Sequence, residues 1–283
     1  MQPAPTIVIE PRRGLAFPRL GEIWEYRDLL WLFIRRDLVA RYQQTVLGPL
    51  WFALQPVLMA ILFSIIFSRV AGIGTAGVPP ILFYLAGLAG WSYFAQNLTS
   101  TAGIFSAHAS MFSKVYFPRM LVPLSTTLSN LGGWVVQVIT FIVIAVIYSA
   151  SGVWVPARWP WEAVFWLPAL AVYTAMLSLG VNLWLISLSV KYRDLTQVFH
   201  FMAQLWFFAT PVIYPLSGVS PRWRDFFLLN PMTPVVESCR YALLGVGEVW
   251  VEGWMVSATV AGLVFITGAV LFDRAQRTLV DTV

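Results

Sequence analysis

Charge is what this sequence has least of. Of its 283 residues only 11% are Asp, Glu, Lys or Arg, whereas 59% are hydrophobic. A soluble domain carries about 25% charged residues, so the deficit excludes an ordinary water-soluble domain and predicts a polytopic membrane protein. Cysteine is almost missing. The single Cys239 excludes an intrachain disulfide framework and a Cys-rich metal site. Residues 1–20 lack an apolar stretch before a small-residue cleavage site, so no signal peptide is expected; Pro3, Pro5, Pro11 and Pro18 predict a flexible lead-in instead. Neither a phosphate-cradling G-x-x-x-x-G-K-[ST] loop nor an H-E-x-x-H or G-x-S-x-G motif occurs. The chain is therefore not expected to hydrolyse ATP itself, and no catalytic residue or metal ligand is assigned.

The sparse charges are placed with a pattern. From Arg41 to Arg69 there is none, as expected where a chain leaves a water–lipid interface and enters a bilayer. Apolar runs predict six spans, at about 47–68, 81–98, 121–148, 163–190, 197–214 and 254–272. None contains Asp, Glu, Lys or Arg, which disfavours a carrier driven by protons or sodium. His200 is the one titratable candidate, and reads more simply as a packing or surface histidine beside Arg193 and Asp194. With both termini inside, thirteen of the eighteen basic residues fall on inner segments, so the positive-inside rule predicts an N-in, C-in arrangement. Gln55-Pro56 predicts a kink in the first span, and Gly87 and Gly90 predict close helix approach in the second. Trp154, Trp159 and Trp161 suit an interfacial loop. No internal repeat is visible.

Two inner segments carry the polar information. Residues 22–42 show Ile23, Tyr26, Leu30, Ile34 and Leu38 at helical spacing, with Arg27, Asp28, Arg35, Arg36, Asp37 and Arg41 as their charges. Too short and too charged to span, the helix reads as a membrane-surface anchor or as a docking surface for a cytoplasmic partner. Residues 99–118 are amphipathic and end at Pro118; they read as a plain connection or as a short helix that transmits a push from a cytoplasmic motor. On the outer side, residues 215–253 are too polar and too Pro-broken to span. Their Arg222, Arg224 and Arg240 either meet an anionic ligand or balance Asp225 and Glu237.

Four stretches taken together resemble one family. They are Arg36-Asp37, Arg41-Tyr42, Thr45, Leu47-Gly48-Pro49 and Trp51 with Gln55-Pro56; Ser113-Lys114 and Tyr116-Phe117-Pro118-Arg119; Lys191-Tyr192-Arg193-Asp194; and Pro211, Tyr214-Pro215 and Asn230-Pro231-Met232. In this order, and over nearly the whole length, the chain resembles the permease subunits of ABC-2 exporters of polysaccharides, the group handling lipid-linked O-antigen, teichoic acid and capsule. The resemblance implies an all-α transmembrane domain over 21–283 in the bacterial inner membrane, working as a homodimer on two copies of a separate ABC ATPase. ATP and Mg would be bound by that partner, and no cofactor by this chain. It implies that 22–42 is an interface helix and that 99–118 is the coupling loop. ATPase contacts would come from the charges of 22–42 and from His108, Lys114, Tyr116, Phe117, Arg119, Lys191, Tyr192, Arg193 and Asp194. Residues 216–250 would form short re-entrant helices gating the outer side, with Tyr214, Pro215, Trp223, Asn230 and Pro231. An aromatic channel would be lined by Trp51, Phe52, Phe63, Tyr84, Trp91, Phe201, Trp206 and Phe207. The substrate implied is a lipid-linked glycan, of O-antigen type first; a small amphiphile, or an ATP-independent role in envelope assembly, are the alternatives.

Overall fold

The computed structural model describes residues 20–43, 45, 47–101, 117–155, 163–189 and 195–280. Among them the regular structure is helical throughout. In chain order the helices are α1 (Leu20–Glu25), α2 (Arg27–Tyr42), α3 (Leu50–Phe63), α4 (Pro80–Thr101), α5 (Leu121–Ala150), α6 (Ala163–Ser189), α7 (Leu195–Phe208), α8 (Pro221–Leu229), α9 (Thr233–Leu244) and α10 (Val251–Val280). α3 continues as a wider π-turn segment, Ser64–Val70, whose register is seen where the Ala71 N–H donates to the Ile66 carbonyl. Pro56 lies inside α3, as its place in the first apolar run requires.

Four helical stretches among the described residues are long and apolar enough to cross a bilayer: Leu50–Val70, Leu121–Ala150, Ala163–Ser189 and Val251–Ala275. The chain is a multi-pass membrane protein. The second and fifth runs expected from the sequence behave differently, for different reasons. α4 is long enough, at 22 residues, but carries Ser, Thr, Gln and Asn along its second half. Every residue from Leu82 to Trp91 is buried, because α3, α5, α6, α7 and α9 all pack on it. A helix sheathed in protein need not be as apolar as one facing lipid. α7 stops at Phe208 rather than reaching Tyr214. Its 14 residues rise only about 21 Å, short of a bilayer core of about 30 Å. Beyond Phe208 the backbone turns through Thr210 and Pro211, a residue without an N–H to continue the ladder.

Glycines let the helices meet. A Cβ on Gly90 would lie 3.0 Å from the Val236 Cα of α9, and one on Gly87 would lie 2.9 Å from both the Arg240 guanidinium and the Val212 carbonyl. The expectation of close approach at these two positions is therefore met. α6 and α10 cross with equal intimacy. A Cβ on Gly180 would come 2.7 Å from the Phe265 Cα, and one on Gly268 would come 2.5 Å from the Gly180 carbonyl oxygen.

α2 lies against α5. Phe33 is buried, meets Phe117 edge-to-face at 5.7 Å, and joins Leu121 and Val122 in a small core flanked by Ile23, Tyr26, Leu29 and Leu30. Further along, Leu38 reaches Gly132. Trp31, Leu32 and Val39 of α2 and Trp24 of α1 are exposed, as are Asp28 and Arg35. That mixture of indoles and charges suits a helix lying in an interface.

Candidate functional site

α9 is buried almost along its whole length, although its sequence, Thr-Pro-Val-Val-Glu-Ser-Cys-Arg, is polar. It is stopped by Gly245, whose φ of +71° suits a residue without Cβ. Its two charges satisfy one another. Arg240 Nη1 donates to Glu237 Oε1 at 2.8 Å, with 1% and 2% of the side chains exposed. Arg240 Nη2 donates to the Val212 carbonyl at 2.6 Å, Nη1 approaches the Tyr214 carbonyl at 3.3 Å, and the guanidinium sits 4.0 Å over the Phe83 ring. The other Glu237 oxygen accepts the Glu248 N–H at 3.1 Å. Of the alternatives left by the sequence, Arg240 balances Glu237. Arg224 pairs with Glu248 and lies 5.4 Å over the Trp250 ring.

Asn230 and Pro231 close the turn between α8 and α9. Asn230 Oδ1 accepts from Trp206 Nε1 at 2.9 Å and from the Met232 N–H at 3.0 Å, and Nδ2 donates to the Ala209 carbonyl and the Thr210 hydroxyl, each at 2.9 Å. The turn is thus bolted to the end of α7. The Pro231 carbonyl accepts the Ser257 hydroxyl at 2.8 Å, and Ser257 in turn is bonded to Tyr173. This ties the same turn to α6 and α10.

Phe208 lines two of the clefts that open on the bundle among the described residues. The first, about 650 Å³, is framed by α3, α4, α5 and α7. It holds Phe52, Phe63, Trp91 and Phe207 of the aromatics singled out in the sequence. Trp91 packs edge-on to Phe207 at 5.7 Å, and Phe207 lies 5.9 Å from Phe63. The remaining four aromatics sit elsewhere. Tyr84 is fully buried, Trp206 is held by Asn230 and meets Phe94 edge-to-face at 4.9 Å, and Trp51 and Phe201 face outward. The second cleft, about 830 Å³, lies at the Pro80 end of α4, between the turn before that helix and residues 208–227. Tyr214, Pro215 and Trp223 line it, whereas Asn230 and Pro231 are buried behind it as fasteners.

The sequence reading passed over the amides. Gln55, Gln96, Gln137 and Gln204 all border the first cleft, with Ser92, Thr99 and His200. Among the described residues that line it there is no Asp, Glu, Lys or Arg. The signal was available, since a glutamine in an apolar span needs a partner as a charge does, but only charges were sought. A further amide group braces the Thr101 end of α4. Asn97 Nδ2 donates to Ser178 Oγ at 2.9 Å, Asn130 Nδ2 to Asn97 Oδ1 at 2.7 Å, and Asn182 Nδ2 to the Asn97 carbonyl at 3.2 Å.

The residues expected to meet an ATPase are only partly within view. Asp37 takes the Arg36 guanidinium at 2.8 Å, Arg36 lies 5.0 Å over Phe33, and Arg27 and Asp28 approach at 4.0 Å. Arg35 is exposed, Phe117 is buried against α2, and Arg41 and Arg119 are half-buried. His108, Lys114 and Tyr116 lie outside the described residues, as do Lys191, Tyr192, Arg193 and Asp194, the rest of 102–116, and residues 1–19.

A helical bundle with lipid-compatible spans and a core brace of buried charge is a multi-pass membrane domain. Residues 28–244 match the model of the ABC-2 type transporter family, and the chain belongs to that family. It is 31% identical over 219 residues to the O-antigen export system permease protein RfbA of Myxococcus xanthus, covering 77% of this chain and 80% of that one. A Klebsiella pneumoniae protein of the same name is 26% identical over 75% of this chain and 79% of its own. The polysialic acid transport protein KpsM of Escherichia coli is 22% identical, with 75% and 80% covered.

Proposed function

We propose that this chain is the membrane subunit of an ATP-driven exporter that passes a lipid-linked polysaccharide, of O-antigen type, out of the cytoplasm. Two copies, each in six passes with both termini inside, enclose the path in the bacterial inner membrane. A separate ABC ATPase, which binds ATP and Mg, drives them. The observation that carries this reading is the pair of clefts sharing Phe208, uncharged among the described residues that line them, in a chain whose relatives are named for O-antigen export. A wall of aromatic faces and amides offers a sugar chain stacking and hydrogen bonds without a charge to trap it. A polymer must bind weakly enough to move on, the condition that applies to ions in a pore.

Within this reading, 22–42 is the interface helix, 99–118 carries the coupling loop, and 216–250 is the outer gate, whose short helices dip into the bundle and return. The placement of α9 against the Pro80 half of α4, with the turn between α8 and α9 fastened to the end of α7, supports the last assignment.

The experiment is purification of the full chain from its native membrane in mild detergent, with ATPase activity assayed on what comes down. The expected result is a Walker-motif partner in equal amount, whose hydrolysis rises with the lipid-linked glycan fraction of the same membrane. A chain that purifies alone, or a partner that responds to small amphiphiles and not to glycan, overturns the assignment.

A further inference from the structure

Gln137 is 4% exposed, and its Nε2 has no hydrogen-bond partner. Its Oε1 accepts the Ser92 hydroxyl, which fixes the amide between α5 and α4. The side chain borders the 650 Å³ cleft beside Phe52, whose ring lies flush on Gly133 one helical turn away; a Cβ there would be 2.5 Å from the ring. The amide N–H group is therefore held at the wall of the cleft without an acceptor from the protein. A buried donor left unmade costs the full desolvation of the group. Such a cost is tolerable where a ligand meets the group in turn. The rest of the wall says which ligand. Among the described residues no charged side chain lines the cleft, so an ionic group entering beside them would be desolvated without compensation. Aromatic rings and amides together match the two faces of a pyranose: C–H bonds stack on rings, and hydroxyl oxygens accept N–H donors.

We infer that Gln137, oriented by Ser92, is a sugar-binding residue that donates to a hydroxyl of a neutral pyranose unit as the glycan passes between α4, α5 and α7. The inference rests on the export reading above and narrows it to one subsite and one class of sugar. The contact is meant to be weak. A single neutral hydrogen bond contributes about 1 kcal/mol, roughly fivefold in occupancy, enough to register units without holding them.

The only native thiol, Cys239, is buried, so a cysteine placed on the cleft wall is a clean reporter. Gln204 is exposed on the α7 side of the cleft. Full-length Gln204→Cys protein, in nanodiscs with its co-purified ATPase, is labelled with a neutral maleimide. The probe added is the lipid-linked glycan fraction extracted from the source membrane. The expected result is that the glycan slows labelling, and that adding Gln137→Met raises the half-protecting glycan concentration about fivefold. Protection that is identical with and without Gln137→Met overturns the inference and leaves the export reading standing. Absence of any protection of the Gln204→Cys thiol overturns the export reading of this cleft, and the inference with it. Should the Met variant not fold, Ser92→Ala serves in its place: it frees the amide to rotate and should raise the same concentration, and an unchanged value overturns the inference.

Discussion

At the scale of single residues the outer part of the molecule turns on Arg240. It joins Glu237 of its own helix to two carbonyls beyond α7 and to the face of Phe83 on α4. A buried pair of this kind is expensive to make and more expensive to break, since removing one partner strands the other charge. Arg240→Met should therefore destabilise the protein by about 3–5 kcal/mol, read as a lower unfolding midpoint of the purified protein in detergent. Glu237→Gln in the same chain should recover part of the loss, because the amide still accepts the Glu248 N–H and no lone charge remains. A double variant as unstable as Arg240→Met alone would refute this account. The sequence displayed Glu237 and Arg240 three apart, a helical pairing distance, and so made the pair one of two options. It could not choose between them, because burial by Val212 and Phe83, over a hundred positions apart in the chain, decides it.

At the scale of elements, helix contacts without a side chain between them are the most sensitive. α6 and α10 touch backbone to backbone at Gly180 and Gly268. Gly268→Ala should lower stability by about 1–3 kcal/mol by overpacking, whereas Gly262→Ala on the same helix, where a Cβ meets nothing within 4 Å, should be neutral or slightly stabilising. Thermal melts of the two variants side by side check this; equal effects would show that the crossing is not tight. Element existence was readable from apolar runs: expected ranges 121–148 and 163–190 became Leu121–Ala150 and Ala163–Ser189. The second and fifth runs have a character that the sequence does not display. α4 is a central helix clothed by five others, and α7 ends early because Pro211 and the Asn230 clamp terminate it. Neither property is local. Likewise the aromatics of α3, α4 and α7 were identified as a group, but which of them face the cleft depends on helix rotation, and Tyr84 and Trp206 turned inward.

At the scale of the whole molecule, topology is open to direct test because Cys239 is buried. Wild-type protein in intact cells should stay unlabelled by a membrane-impermeant maleimide. Ser151→Cys and Ser217→Cys, both exposed, should be labelled from outside, and Gln43→Cys only after permeabilisation. Labelling of Gln43→Cys in intact cells would reverse the orientation and with it the sides assigned to the coupling loop and the gate. The sequence by itself determined that this is a multi-pass helical membrane protein without a phosphate-binding loop of its own, because charge scarcity, apolar run length and missing motifs are properties of composition and order. Four separated stretches sufficed to indicate its family for the same reason. The tertiary structure alone decided which charges are paired, that two clefts share Phe208, and that Gln137 brings an amide N–H without a protein acceptor to one of them. Those facts depend on which faces of distant helices meet, and about half a turn of rotation, invisible in a run of apolar letters, separates a lipid-facing side chain from a lining one.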